Sequence, residues 1–158
     1  DTHLMVTDPT NLIPLFALAG SNMLTIHLES KGDTTANLKY IKKSGMNAGL
    51  AIKPATDWKE VIPYLPLCDM VLVMTVEPGY GGQGFIPQCA DKVAMLRKYC
   101  NENGFDKMNI QVDGGINTAT AATVKDAGAN VLVAGTYLFR AVDMKAGNSS
   151  VALSVSRV

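Results

Sequence analysis

The chain has 158 residues, enough for one globular domain with a substantial core. Lysine plus arginine and aspartate plus glutamate stand at 14 each, and neither sign forms a run. That balance argues against nucleic acid or a charged membrane surface as the main partner. No apolar stretch is long enough to span a bilayer, since the run from Leu12 to Ala19 is short and carries Pro14. Cys68, Cys89 and Cys100 show neither metal nor redox spacing and read as reduced thiols of a cytoplasmic protein. The chain opens on Asp1 already in strand-like sequence, which reads as a truncated start.

Strand-like runs begin near Asp1, Met23, Ala48, Met70, Asn109 and Val131, with helical patterns between them. Asp8-Pro9 gives an N-cap with proline at the first helical position, and Gly20 closes that helix. The stretch from Lys31 to Ser44 is amphipathic and stops at Gly45. Asp57 followed by Glu60 has the form of a capping box ahead of Val61-Ile62. From Pro87 to Asn101, Val93, Ala94, Leu96 and Arg97 fall at helical spacing, and Gly104 follows. A last helix is expected from Thr118 to Ala127, ending at Gly128. Short apolar strands alternating with helices specify a parallel sheet with helices outside it. The reading is a single domain over residues 1–158, without a linker or any repeat beyond the βα unit.

Three strands open directly onto glycine. Val71-Leu72-Val73-Met74-Thr75-Val76 runs into Glu77-Pro78-Gly79-Tyr80-Gly81-Gly82-Gln83, the strand at Asn109–Val112 into Asp113-Gly114-Gly115, and the run from Val131 to Ala134 into Gly135-Thr136. Glycine at a strand's C-terminal end lets bare backbone N–H groups approach a ligand, and a following helix N-terminus adds positive dipole. Together these openings describe an anion cradle, best suited to a phosphate. A dinucleotide fold would carry its glycines after the first strand. Eight-fold barrels hold phosphate on the loops after strands seven and eight. The glycines here therefore specify an incomplete (β/α)8 TIM barrel of six βα units, strands three to eight. Two absent units and a short lead would amount to roughly 60–70 residues of a typical barrel of about 250.

The segments Asp1-Thr2-His3-Leu4-Met5-Val6, Gly49-Leu50-Ala51-Ile52-Lys53-Pro54-Ala55-Thr56, the run from Val71 to Gln83, Gln111-Val112-Asp113-Gly114-Gly115-Ile116 and Val131-Leu132-Val133-Ala134-Gly135-Thr136 resemble ribulose-phosphate 3-epimerases of the pentose phosphate pathway. The resemblance implies epimerisation at C3 of D-ribulose 5-phosphate to D-xylulose 5-phosphate through an enediolate. Two carboxylates would serve as base and acid, and a metal would stabilise the developing charge. It makes His3 a metal ligand and Asp113 both a metal ligand and the catalytic proton-transfer residue. Gly79, Tyr80, Gly81, Gly82, Gly114, Gly115, Ile116, Gly135 and Thr136 become substrate- and phosphate-binding positions, while Met5 and Met74 line the reaction centre. One divalent metal is implied, Zn2+ first, with Fe2+, Mn2+ or Co2+ as alternatives. The implied partner is a small sugar phosphate, in a homo-oligomer, with no nucleic acid and no membrane. A histidine and an aspartate that the family carries on an earlier strand have no counterpart here, and the tail from Ala146 to Val158 departs from the family's charged closing helix.

Other readings stand beside this one. The substrate is alternatively another ketose phosphate such as allulose 6-phosphate, or the chain is a non-catalytic sugar-phosphate-binding subunit. A lyase of the same architecture would need a Schiff-base lysine, for which Lys53 is the candidate. His27 and Glu29 share a strand face and read as a structural or supporting polar pair rather than a second metal site. Thr75 and Glu77 read as loop-shaping residues, and Trp58 as packing.

Overall fold

The computed structural model describes residues 1–153. Among these residues the strands are β1 (Thr2–Leu4), β2 (Met23–His27), β3 (Asn47–Ile52), β4 (Met70–Met74), β5 (Asn109–Asp113) and β6 (Val131–Val133). They form one parallel sheet in the order β1-β2-β3-β4-β5-β6. Each strand lies beside the next in sequence, with no reversal of order. This is the order of a barrel wall and not of a doubly wound sheet, whose strand order turns back at its switch point. The six strands form a curled, incomplete (β/α)8 barrel, as expected.

β4 and most of β3 are apolar on both faces because both are covered, whereas β2 and β5 alternate apolar residues with Thr25, His27, Gln111 and Asp113. Leu24, Ile26, Leu50, Ile52, Val71, Val73, Ile110 and Val112 point outward into the layer shared with the helices. Ala51, Leu72 and Met74 point inward and cluster with Val76 in the barrel interior. The interior also holds polar groups. Gln111, almost fully buried, donates from Nε2 to Asp1 Oδ2 at 2.6 Å and so ties β5 to the start of β1.

The helices are α1 (Ile13–Leu18), α2 (Thr34–Lys43), α3 (Gln88–Glu102), α4 (Thr118–Asp126), α5 (Gly135–Phe139) and α6 (Met144–Leu153). A ten-residue helix such as α2 is marginal in isolation. Packing holds it in place: Leu38 and Ile41, one turn apart, are completely buried, each contributing about 1.5–3 kcal/mol.

The first helix starts later than expected. Asp8 does not cap it; its Oδ1 accepts from the Thr10 N–H in a local turn. The helix begins at Ile13 with proline in its first turn. Begun at Pro9, it would put Pro14 in its interior, where the ring meets the carbonyl of residue 10. The second helix also starts later, at Thr34, because the Asp33 side chain accepts from the Ala36 N–H and sets the boundary there. The capping box at Asp57 and Glu60 is present, with Asp57 accepting from the Lys59 N–H and Glu60 from the Asp57 N–H. It opens a 3₁₀ helix, Trp58–Leu67, because the rings of Pro63 and Pro66 would meet the i−4 carbonyls of a continuing α-helix. Asn117 caps α4 by accepting from the N–H groups of Ala119 and Thr120. Trp58 packs against Tyr99 with ring centroids 5.7 Å apart, as a packing residue should. Within the tail that reads as divergent, α6 extends to Leu153, and residues 154–158 lie outside the described residues.

Candidate active site

The C-terminal ends of β4, β5 and β6 surround a cleft of about 720 Å³. All the residues assigned to the site from sequence line it except His3: Met5, Met74, Gly79, Tyr80, Gly81, Gly82, Asp113, Gly114, Gly115, Ile116, Gly135 and Thr136. His3 stands at its edge, with Nδ1 3.8 Å from Asp113 Oδ2. Residues 110 positions apart thus meet because β1 and β5 face each other across the barrel interior.

The loops are held by a few specific contacts. Thr75, completely buried, donates its hydroxyl to the carbonyls of Asp113 and Gly114, while its N–H donates to the Asp113 carbonyl. It therefore locks the end of β4 to the turn that carries Asp113, the loop-shaping part expected of it. Gln83, a residue the sequence reading passed over, donates from Nε2 to the carbonyls of Glu77 and Tyr80 and closes the glycine-rich loop on itself. Its only signal was an amide among glycines, where side chain–backbone bonds replace missing packing.

Two glycines of these loops are required for packing reasons. A Cβ on Gly114 would lie 2.5 Å from Val76 Cγ2, and one on Gly115 would lie 2.5 Å from the Phe85 backbone nitrogen. Both residues also have positive φ, +124° and +65°. Steric demand at Gly115 thus comes from the neighbouring loop, where the sequence reading placed it on a ligand. Gly79, Gly82 and Gly135 are different: a Cβ there would meet nothing within 4 Å, so the backbone faces open space. The first N–H groups of α5, which begins at Gly135, have no carbonyl partner within the helix. Gly81 comes within 3.3 Å (from an added Cβ) of Thr136 Oγ1, so the loops after β4 and β6 meet there.

His3 is also tied to its neighbour on β2. The Nε2 atoms of His3 and His27 lie 2.8 Å apart, with ring centroids 4.9 Å apart and planes 27° from parallel, so the rings meet edge to edge. His27 Nδ1 is 3.2 Å from Glu29 Oε2. Glu29 Oε1 accepts from the Lys53 N–H and the Thr56 hydroxyl. Burial alone would raise the Glu29 carboxyl, but the bonds from His27, Lys53 and Thr56 outweigh it and hold the group down at about 2. Lys53 joins this cluster through its backbone N–H.

Among the described residues, no three His, Cys, Asp or Glu side chains are grouped to hold a metal. His27 and Glu29 bond to each other. His3 and Asp113 offer one imidazole nitrogen and one carboxylate oxygen 3.8 Å apart. Two donors about 2.0–2.1 Å from one tetrahedral ion stand roughly 3.3 Å from each other. The pair supplies the right donor types for two corners of such a site but stands about 0.5 Å too wide, so closing on one ion needs a small inward shift.

The profile of the ribulose-phosphate 3 epimerase family matches residues 1–139. A ribulose-phosphate 3-epimerase of Candida glabrata is 46% identical over 143 residues, covering 90% of this chain and 56% of its own length. One from Schizosaccharomyces pombe is 43% identical over 141 residues, covering 89% and 60%. The chain therefore spans well under two thirds of the length of these relatives. In three dimensions it is similar to 3-hexulose-6-phosphate synthase from Salmonella typhimurium, with a TM-score of 0.66 at 18% identity over 95% of this chain and 69% of that one. That likeness extends to the fold. Sequence, strand order and the convergence of the glycine loops on Asp113 agree on one assignment: the chain belongs to the ribulose-phosphate 3 epimerase family.

Proposed function

We propose that this chain forms the sugar-phosphate-binding and proton-transferring part of a ribulose-phosphate 3-epimerase, acting at C3 of D-ribulose 5-phosphate in the pentose phosphate pathway. The observation that carries this is the cleft itself. The open backbone at Gly82 and Gly135 and the Asp113 carboxylate line it together, with His3 beside Asp113 at its edge. A phosphate held by the first N–H groups of α5 and the glycine loop after β4 fixes the ketose by its non-reacting end, so that binding energy orients the reacting carbon. Asp113 then removes or returns the C3 proton on one face. Met74, buried at the end of β4, excludes water there without offering a proton of its own.

One divalent ion, Zn2+ or in its place Fe2+, Mn2+ or Co2+, held by His3 and Asp113 would supply electrostatic stabilisation of charge developing on the substrate oxygens. Proton delivery to the opposite face needs a second carboxylate, and a well-held catalytic zinc takes three protein ligands. We propose that the complete protein supplies these from further βα units, and that the 158-residue chain alone binds sugar phosphate but epimerises negligibly. A second reading, binding without turnover, draws on the same two-ligand pair. Another ketose phosphate, such as allulose 6-phosphate, would be held by the same cradle.

The test is calorimetric titration of the chain with ribulose 5-phosphate and with free ribulose. The phosphate ester should bind and the free sugar should not. Gly135→Ala, whose new methyl enters open space, should leave thermal stability unchanged while weakening phosphate-ester binding. Equal affinity of parent and variant would refute the cradle.

A further inference from the structure

We infer that Glu29 and His27 are positioning residues for His3, fixing it as the Nε2–H tautomer so that its bare Nδ1 faces Asp113. The inference rests on the reading of His3 as a metal ligand. Its logic is proton counting along a chain of hydrogen bonds. Glu29 Oε1 is engaged by two donors, the Lys53 N–H at 2.8 Å and the Thr56 hydroxyl. The other oxygen, Oε2, faces His27 Nδ1 at 3.2 Å. An ionised carboxylate accepts only, so the proton on that bond belongs to His27 Nδ1. A neutral imidazole carries one N–H, which leaves His27 Nε2 bare. That bare nitrogen lies 2.8 Å from His3 Nε2, so His3 must donate across the gap. The remaining nitrogen of His3, Nδ1, is then a lone pair.

Asp113 does not reverse this order. Its Oδ2 is 3.8 Å from His3 Nδ1, too far to accept a proton from it. An Nδ1 lone pair and a carboxylate oxygen 3.8 Å from it are the two donor types a shared cation takes. A ligating histidine that donates its other N–H to a fixed acceptor is the usual supporting arrangement around a protein-bound metal. Here the acceptor is a second histidine, itself anchored by a carboxylate.

The relay is fixed at its far end as well. Lys92 of α3 donates Nζ to the carbonyls of Lys53, Pro54 and Thr56, pinning the segment whose N–H and hydroxyl occupy Glu29 Oε1. His27 is nearly buried, its side chain 5% exposed, so water does not compete for its ring nitrogens. Glu29 thus orients a ring it never touches.

The chain contains two histidines, so labelling with ¹⁵N-histidine yields four ring nitrogens, read by long-range ¹H–¹⁵N correlation on the metal-free 158-residue protein at neutral pH. His27→Asn assigns the remaining ring to His3. The parent should show opposite tautomers, His3 bare at Nδ1 and His27 bare at Nε2. In Glu29→Gln the amide oxygen takes over Lys53 and Thr56, and the amide N–H₂ faces His27 Nδ1. Both tautomers should therefore invert. Zn2+ titrated into the parent should shift the His3 Nδ1 resonance selectively, and the affinity should fall about 10–100-fold in Glu29→Gln. Glu29→Asp, which keeps an acceptor-only group, should retain the parent tautomers. His3 bare at Nε2 in the parent overturns the relay, and that spectrum stands even if a variant fails to fold. Unchanged tautomers in a folded Glu29→Gln overturn it equally. Correct tautomers with no response of Nδ1 to Zn2+ would instead overturn the metal-ligand reading, and with it the purpose assigned to the relay.

Discussion

Replacing Gly115 by alanine tests how the turn after β5 is built. The residue has φ +65°, where an L side chain costs about 1–2 kcal/mol. The new Cβ would also lie 2.5 Å from the backbone nitrogen of Phe85 and 2.8 Å from its Cα. Neither atom can swing aside as a flexible side chain would, so one loop must move, at the roughly 1–3 kcal/mol typical of overpacking. The expected loss is about 2–5 kcal/mol, a large part of the roughly 5–15 kcal/mol that stabilises a domain. For a chain of this size that lowers the Tm by roughly 4–20 °C. Gly82→Ala is the internal control. Its φ of +81° carries the same backbone strain, but a Cβ there meets nothing within 4 Å. Thermal and urea unfolding of both variants, followed by circular dichroism, separates the two contributions. Equal destabilisation would show that contact with Phe85 costs nothing, and the packing argument for this turn would fail.

Two further outcomes follow from the same geometry. Glu29 is held at about 2, below its ordinary 4.5, so the unfolded chain takes up a proton there more readily than the folded one. Its contribution to stability should be complete above about pH 4.5 and lost as pH falls toward about 2; in Glu29→Gln that part of the acid limb should flatten. The outer edges of β1 and β6 have no strand partner among the described residues, and unpaired parallel edges invite association. The 158-residue chain should therefore sediment as an oligomer at micromolar concentration, and a concentration-independent monomer would count against this edge argument.

Much of the architecture was legible because it depends on local rules. Apolar strands separated by helices with clear stops imply a parallel sheet, and glycines after the last three strands imply a barrel. Helix starts were less legible. Asp8-Pro9 has the form of a cap, yet Pro14, five residues after Pro9, excludes it; Asp57 caps a 3₁₀ segment because Pro63 and Pro66 lie downstream. The positions in the cleft could be named from motifs. The relay beyond them could not, because the proximity of His3 to His27 follows from the register of β1 on β2, where His3 lies beside Thr25 and His27 stands one pleat further on. Gln111 and Asp1 likewise meet only through barrel curvature.

The central claim is that Asp113 moves the proton at C3. Ribulose 5-phosphate in D₂O, followed by NMR at C3, measures this directly in a longer chain that supplies two further βα units, in its Asp113→Asn form, and in the 158-residue chain. The longer chain should exchange deuterium into C3, and Asp113→Asn should slow exchange by at least the roughly 10²–10⁴-fold typical of one acid–base group while leaving the fold intact. The 158-residue chain should exchange negligibly. Unchanged exchange in Asp113→Asn would contradict the assignment of Asp113, and full exchange by the 158-residue chain would contradict the claim that its site requires residues from outside it.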